Sequence, residues 1–106
     1  MNEGESMSTG ELIEILRKRA AGYPKLGYKV KVLLEEGGVI FWDGTADQPA
    51  IGEEDGEADT TLRLSEENFR KLLAGSLDPT LAYMTGKLKV EGKLGVAMKI
   101  NAMLSD

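Results

Sequence analysis

The residue types that most often perform catalysis are missing from this chain of 106 residues. It contains no cysteine and no histidine, which excludes cysteine nucleophiles, histidine general bases, Ser-His-Asp triads and the usual zinc sites. Because no base is available to activate them, we interpret the hydroxyl groups of Ser65, Ser76 and Thr85 as helix caps. The composition therefore predicts neither a nucleophilic catalytic centre nor a metal site.

Three further motifs could carry chemistry, but each lacks a part that the chemistry needs. Asp43 and Asp47 could pair as general acid and base, although a carboxylate between an aromatic residue and a glycine more often caps its own turn. Gly86-Lys87 resembles the end of a phosphate-binding loop, but Leu88 stands where that loop needs Ser or Thr. The acids of Glu53–Asp59 lack the spacing of a calcium loop. We therefore expect neither an enzyme nor a cofactor.

The segment with the clearest chemical consequence is Leu94–Leu104. Only Lys99 and Asn101 in it are clearly polar, whereas a surface helix needs an apolar stripe only about 100° wide. A helix of this composition is expected to contact apolar material on two sides: a core, together with a ligand, a partner chain or a membrane. Met98 and Met103 of this segment, together with Met84, support a ligand of irregular apolar shape, although methionine is also ordinary core filler.

The remaining periodicities place this segment at the end of one α+β domain. We expect a disordered leader over Met1–Met7 and a folded domain from Ser8 to Asp106, in which Ser8 caps a helix that ends near Ala21. The other predicted elements are strands at Leu26–Leu34, Val39–Asp43, near Pro49–Ile51, at Ala58–Leu64 and Lys87–Glu91, and helices at Ser65–Gly75, Asp78–Gly86 and Leu94–Leu104.

The first strand indicates a sheet that is covered on a single face. Lys29 and Lys31 alternate with Val30 and Val32, so one side of the strand faces solvent. Strands and helices that segregate in this way are typical of an α+β fold, with the helices packed on one face of a mixed sheet. In the strand Val39–Asp43, the pattern does not decide which side chains point inward. The inward pair is either Ile40 and Trp42 or Val39 and Phe41.

The charge of the chain is unevenly distributed. Its net charge is −5, yet Arg17–Leu34 contains six basic residues and no acid. We interpret these side chains as solvated faces or, alternatively, as a patch that contacts anionic lipid headgroups. Nucleic acid is disfavoured as a partner, because the overall balance is acidic. The patch consists of Arg17, Lys18, Arg19, Lys25, Lys29 and Lys31.

The stretch Leu77–Ile100, LDPTLAYMTGKLKVEGKLGVAMKI, resembles the C-terminal signature of the sterol carrier protein 2 family of lipid-transfer domains. Upstream, Glu57–Gly75 also fits the family pattern of a strand followed by a helix, and the similarity runs from about Leu12 to Leu104. The resemblance implies a five-stranded mixed sheet covered on one face by helices that enclose an apolar tunnel. It also implies non-catalytic binding and transfer of fatty acids, fatty acyl-CoA, phospholipids or sterols.

We predict that the lipid is lined by apolar side chains of the helices and of the second strand. The family offers no catalytic residue to carry over, so this set rests on apolar pattern and position. The alternative is an interaction module or homodimer that uses the C-terminal helix; we expect a monomer or weak dimer in the cytoplasm, because the polar N-terminus is unlike a secretory signal. The predicted lining is Leu16, Phe41, Trp42, Phe69, Leu72, Leu73, Leu77, Leu81, Met84, Leu94, Met98 and Met103.

Overall fold

A computed structural model of the chain describes residues 9–22, 25–46 and 50–104, the last four of them as backbone only. The predicted leader Met1–Met7, the predicted cap Ser8 and the carboxylate of Asp47 lie outside the described residues. The helices and strands of the described residues are α1 (Thr9–Ala20), β1 (Lys29–Leu34), β2 (Val39–Asp43), β3 (Ala50–Gly52), β4 (Thr60–Leu64), α2 (Glu66–Ala74), α3 (Pro79–Met84), β5 (Lys89–Gly92) and α4 (Leu94–Leu104).

The strands form one mixed sheet in the order β3-β2-β1-β4-β5. The central strands β1 and β4 run parallel, and the other three pairs are antiparallel. Helix α1 packs against β2 and β3, and α4 packs against β4, β5 and the helices α1 and α2. The predicted α+β class, with helices on one face of a five-stranded mixed sheet, is confirmed.

The alternation within the β1–β2 hairpin decides which side chains face the helices. Val30 and Val32 of β1 are buried, and they pair with Trp42 and Ile40 of β2, which are buried as well. Phe41 pairs with Lys31 and therefore lies on the opposite face of the sheet. The question that the sequence left open is thereby answered.

Local capping signals fix the ends of the middle helices. The Ser65 hydroxyl accepts a hydrogen bond from the backbone N–H of Asn68 (3.0 Å), and Gly75 ends α2 in the left-handed conformation at φ 79°. The carboxylate of Asp78 accepts from the N–H of Thr80 (3.0 Å) before α3. Both predicted caps are confirmed.

Three strands begin later than their alternation predicted, and one of them is β4, which starts at Thr60 rather than at Ala58. Gly27 has φ 86°, so the extended backbone of β1 starts at Lys29 rather than at Leu26. Gly86 has φ 83° and follows the end of α3, and β5 starts at Lys89. Before β1 and before β5, the residues next to the glycine alternate in polarity as a strand would. The glycine turn nevertheless keeps them out of the extended strand.

A single apolar core fills the space between the sheet and the helices. Phe69 and Leu72 of α2 are fully buried in it, together with Leu12 and Leu16 of α1. Ile13 of α1 is buried as well, whereas Ile15 is partly exposed. The helices α1, α2 and α4 and the inner face of the sheet thus enclose one continuous apolar interior.

Candidate functional site

The structure divides the predicted lipid-lining residues into groups. Five of them lie in the core: Leu16, Trp42, Phe69, Leu72 and Leu73. These side chains are packed together in one core cluster. A lipid would therefore reach them only by entering the interior from its margin. The side chain of Met103 lies outside the described residues.

Four of the predicted residues lie at the surface of the last two helices. Leu81 and Met84 of α3 are 56% and 72% exposed, and their spacing places them on one side of that helix. Leu94 and Met98 of α4 are 42% and 36% exposed and are spaced by one turn. We call these four residues the exposed apolar pairs.

Helix α4 therefore has apolar side chains on two sides, as its composition predicted. It buries Val96, Ala97 and Ile100 in the core. In a helix with 3.6 residues per turn, Leu94 and Met98 lie on the side away from these three. These two side chains therefore leave apolar area in solvent on that side of α4.

The last two predicted residues lie apart from the exposed apolar pairs. Leu77 is partly buried against the core. Phe41, on the outer face of the sheet, lies beneath Gly56, where an added Cβ would stand 3.4 Å from its ring. The structure therefore does not bring Phe41 together with the residues on the helix side.

The described cavities are clefts that open to solvent. A cleft of about 530 Å³ lies at the β3 edge beside Phe41, and Arg17 crosses from α1 to donate to the Ile51 carbonyl at 3.2 Å (Nε) and 2.7 Å (Nη2). A smaller cleft of about 140 Å³ lies between α1 and α2 and is lined in part by Leu73. The tunnel that the resemblance implies stays a prediction.

Two polar groups lie within the otherwise apolar interior: the hydroxyl of Thr60, which sequence reasoning missed, and the indole N–H of Trp42, a residue that it had included in the lining. The Thr60 hydroxyl donates to the carbonyl of Lys93 (2.9 Å). The indole Nε1–H of Trp42 is buried and has no acceptor among the residues that the structure describes. A buried donor without an acceptor costs about 1–3 kcal/mol, so this N–H is a place where a ligand oxygen would be stabilising.

The predicted basic patch does not form one surface. Arg17 of α1 pairs with Glu14 at 3.0 Å on the helix side of the sheet. Lys31 belongs to the outer face, where it pairs with Asp55 at 2.8 Å. The sheet thus separates the helix residues of the patch from Lys29 and Lys31.

The remaining candidate, Asp43, caps its own turn as predicted. Its carboxylate accepts from the hydroxyl (2.5 Å) and the backbone N–H (3.0 Å) of Thr45, which lowers its pKa below 3.8. In the described part of the chain, no cluster of three or more acidic residues could hold a metal ion. Nor is any described helix long and apolar enough to cross a bilayer.

The chain is similar to known proteins over nearly its whole length. The family model described as the SCP-2 sterol transfer family matches residues 11–105. Hydroxysteroid dehydrogenase-like protein 2 from Bos taurus is 32% identical over 80 residues, which are 74% of this chain and 19% of that protein. The chain therefore corresponds to a small part of this relative.

Solved structures share the fold. The sterol carrier protein domain 2 of Helicoverpa armigera superposes with a TM-score of 0.77 at 19% identity, over 96% of this chain and 95% of that one. Palmitated SCP2L2 from Aedes aegypti superposes with a TM-score of 0.66 at 19% identity, over 94% and 96% of the two chains. With the family match and the sheet order in agreement, this chain belongs to the SCP-2 sterol transfer family.

Proposed function

We propose that this domain binds a lipid without catalysing a reaction on it and transfers the lipid between membranes or proteins. The observation that carries the proposal is the distribution of exposed apolar side chains. Among the described residues, the large apolar side chains that are exposed all lie between Leu81 and Met98. All of these side chains belong to α3 and α4, and exposed apolar patches are typical of surfaces that bind a partner or ligand.

A single hydrocarbon chain is the ligand that we propose for these side chains. We place it along the exposed apolar pairs of α3 and α4, with one end entering the interior beside α4. Burial of each methylene group contributes about 0.8 kcal/mol, so contacts with Leu81, Met84, Leu94 and Met98 suffice for binding without a catalytic group. The methionine side chains adapt to chains of different length and unsaturation.

Fatty acyl lipids are the ligands that we favour over sterols. The Aedes aegypti neighbour is described as palmitated, which supports an acyl chain as the ligand of a domain with this fold. The packed core also favours a narrow, flexible chain over a rigid ring system as the part of the ligand that enters the interior. We expect the exchange to take place in the cytoplasm, with brief contact with anionic membrane surfaces.

Native mass spectrometry of the purified protein, followed by organic extraction, tests the proposal. We expect about one fatty acid or phospholipid per chain and, on titration of the emptied protein with oleate, quenching of Trp42 fluorescence. Leu81→Glu and Met98→Glu should fold normally but lose most of this lipid. Thr80→Glu, which adds the same charge at a neighbouring exposed position, is the matched control. Normal lipid binding by both folded variants would contradict the proposal.

A second candidate is an interaction module, and the exposed side of α4 favours it. Leu94 and Met98 could cover the same residues of a second copy or an apolar face of a partner enzyme. Size-exclusion chromatography with light scattering separates the candidates. A tight dimer that takes up no lipid and that Met98→Glu dissociates would support the interaction module, whereas a monomer that carries lipid supports transfer.

A further inference from the structure

Two ammonium groups share one aromatic ring at the margin of the core. The Nζ atoms of Lys93 and Lys99 lie 5.5 Å and 5.3 Å from the centroid of the Tyr28 ring. Neither lysine forms an ion pair with any residue in the described ranges. A ring attracts one cation by about 0.5–1 kcal/mol at an exposed site, but two cations at the same ring repel each other. An anion placed between them would relieve that repulsion.

The backbone holds one of these lysines at a fixed place on the sheet. The N–H of Lys93 donates to the hydroxyl of Thr60 (3.2 Å), and its carbonyl accepts from the same hydroxyl (2.9 Å). Thr60 pairs with Val30 across the central parallel strands, and Val30 pairs with Trp42. Lys93, which follows β5, is therefore nearly level with Trp42 of β2 but three strands away from it, and Tyr28, directly before β1, lies between them.

Trp42, which carries the unpaired indole N–H, is a neighbour of Tyr28 on the sheet. Tyr28 is opposite Gly44, since the N–H of Gly44 donates to the Tyr28 carbonyl (2.9 Å). The Tyr28 side chain packs against the core, on the same face of the sheet as Val30. On this face Tyr28 and Trp42 are diagonal neighbours, a relation that places residues about 7–8 Å apart and within reach of aromatic side chains. Trp42 is 4% exposed and its Nε1–H has no acceptor in the described part of the chain.

We propose that Lys93, Lys99 and Trp42 form a subsite for the anionic end of an amphiphilic lipid, with a carboxylate as the group that it takes. This inference rests on the proposed lipid binding and adds the chemistry of the lipid's polar end. The two lysines also flank an exposed apolar pair, because Lys93 precedes Leu94 and Lys99 follows Met98. A chain that lies along this pair brings its polar end to the Tyr28 ring.

The donor set selects an anion over a neutral head group. The three groups of the proposed subsite only donate, and a carboxylate offers two oxygens that accept several hydrogen bonds. Hydrogen bonds between charged partners are about twice as strong as neutral ones. A sterol hydroxyl or an ester would leave at least one ammonium group without a counter-charge, so we expect discrimination between chains that differ only at the polar end.

Oleate and methyl oleate test this inference, because they share one chain and differ in charge. By isothermal titration calorimetry, the unaltered protein should bind oleate at least about tenfold more tightly than the ester. The double variant Lys93→Gln with Lys99→Gln should remove that preference and leave ester binding within about twofold. Trp42→Phe should reduce the preference for oleate by roughly fivefold, since the lost bond is stronger to a charged acceptor.

The matched control removes the same charge elsewhere. Lys87 and Lys89 are exposed and make no contact with the Tyr28 ring, so Lys87→Gln with Lys89→Gln should keep the preference for oleate. Circular dichroism verifies that each variant is folded. An equal loss of preference in the control would mean that net charge alone is responsible, which overturns the subsite.

The remaining outcomes separate the two proposals. Equal affinity of the unaltered protein for oleate and its ester overturns the anionic subsite and leaves lipid binding in place. Binding of neither lipid overturns both. A comparison of dodecanoate with dodecyl phosphate identifies the preferred head group. Tighter, lysine-dependent binding of the phosphate would support an anion site but contradict the carboxylate as its ligand. Tighter binding of dodecanoate would support the carboxylate.

Discussion

At the scale of single residues, the carboxylate of Asp43 is held in its ionised form by its own turn. The hydroxyl and the N–H of Thr45 both donate to it, and they lower its pKa below the ordinary value of 3.8. A folded-state pKa below the unfolded value means that these bonds favour the fold above pH 3.8 and cease to do so as the pH falls through the lowered pKa. Asp43 is therefore no proton donor near neutral pH.

Removal of the Thr45 hydroxyl should raise the pKa of Asp43 towards 3.8. Thr45→Ala deletes the side-chain hydrogen bond and keeps the backbone one, so the rise should be partial. Carboxyl carbon chemical shifts followed by NMR from pH 2 to pH 6 measure it. Asp55, whose pKa is lowered chiefly by Lys31, is the internal control and should not change. An unchanged Asp43 would contradict the assigned cause.

Another contrast between residues concerns the predicted lining itself. Leu72 is fully buried in the core, whereas Met84 is 72% exposed. Leu72→Ala should lower the free energy of unfolding by about 2–5 kcal/mol, because it leaves a cavity. Met84→Ala should change it by less than about 0.5 kcal/mol and should instead weaken lipid binding. Urea unfolding followed by circular dichroism gives the two values, and similar costs would show that the assignment to core and surface is wrong.

At the scale of elements, the junction between β5 and α4 depends on one glycine. Gly92 has φ 99°, and a Cβ there would collide with the carbonyl oxygen of Asp59 on the neighbouring strand. This close approach brings the chain to Lys93, whose backbone is bonded to Thr60. The position of α4 over the sheet therefore depends on a residue without a side chain.

Two alanine variants at this junction should have opposite effects. Gly92→Ala should lower the free energy of unfolding by at least about 1–3 kcal/mol, because it combines a strained conformation with a collision. Gly95→Ala, three residues later in α4, meets no atom within 4 Å and should be neutral or stabilising by up to about 1 kcal/mol. Thermal unfolding of the two proteins side by side gives the comparison. A neutral Gly92→Ala would contradict the described junction.

The caps of α2 and α3 were predictable from the sequence because they are local. Ser65 and Asp78 each contact a backbone N–H two or three residues away, so no tertiary information is needed. The glycine turns before β1 and β5 were predicted less well. Strand alternation continues through Gly27 and Lys87, and only the backbone conformation shows where extended structure begins.

At the scale of the whole molecule, the sheet separates two basic surfaces. Lys18 lies on α1 on the helix side, and Lys29 lies at the start of β1 with its side chain on the outer side. An anionic membrane could meet one of these surfaces at a time. The net charge of −5 repels such a membrane as a whole, so the side of approach depends on local charge.

Transfer of lipid to vesicles that contain phosphatidylglycerol should therefore slow as salt is raised. Between about 0.1 M and 1 M, the Debye length falls from about 10 Å to about 3 Å. Lys18→Glu and Lys29→Glu, tested separately, identify the surface that meets the membrane, because only one of them should weaken the salt dependence. Phosphatidylcholine vesicles are the uncharged control. A rate that does not depend on salt would rule out electrostatic contact.

The sequence by itself determined the class of this protein. The absence of cysteine and histidine, the caps at Ser65 and Asp78, and the apolar composition of Leu94–Leu104 are properties of residue types and short spacings. Together with the alternation of the strands, they were sufficient to predict an α+β domain with a helix that is apolar on two sides. The signature at Leu77–Ile100 added the family.

Only the tertiary structure decided which side chains meet. The inward face of β2 depends on the register of a hairpin, and a shift of one residue would exchange Phe41 for Trp42. Lys93 and Lys99 reach the Tyr28 ring because β1 and β4 pair in parallel. Contacts between residues more than sixty positions apart follow from strand pairing and helix packing across the whole chain, which local residue patterns do not encode.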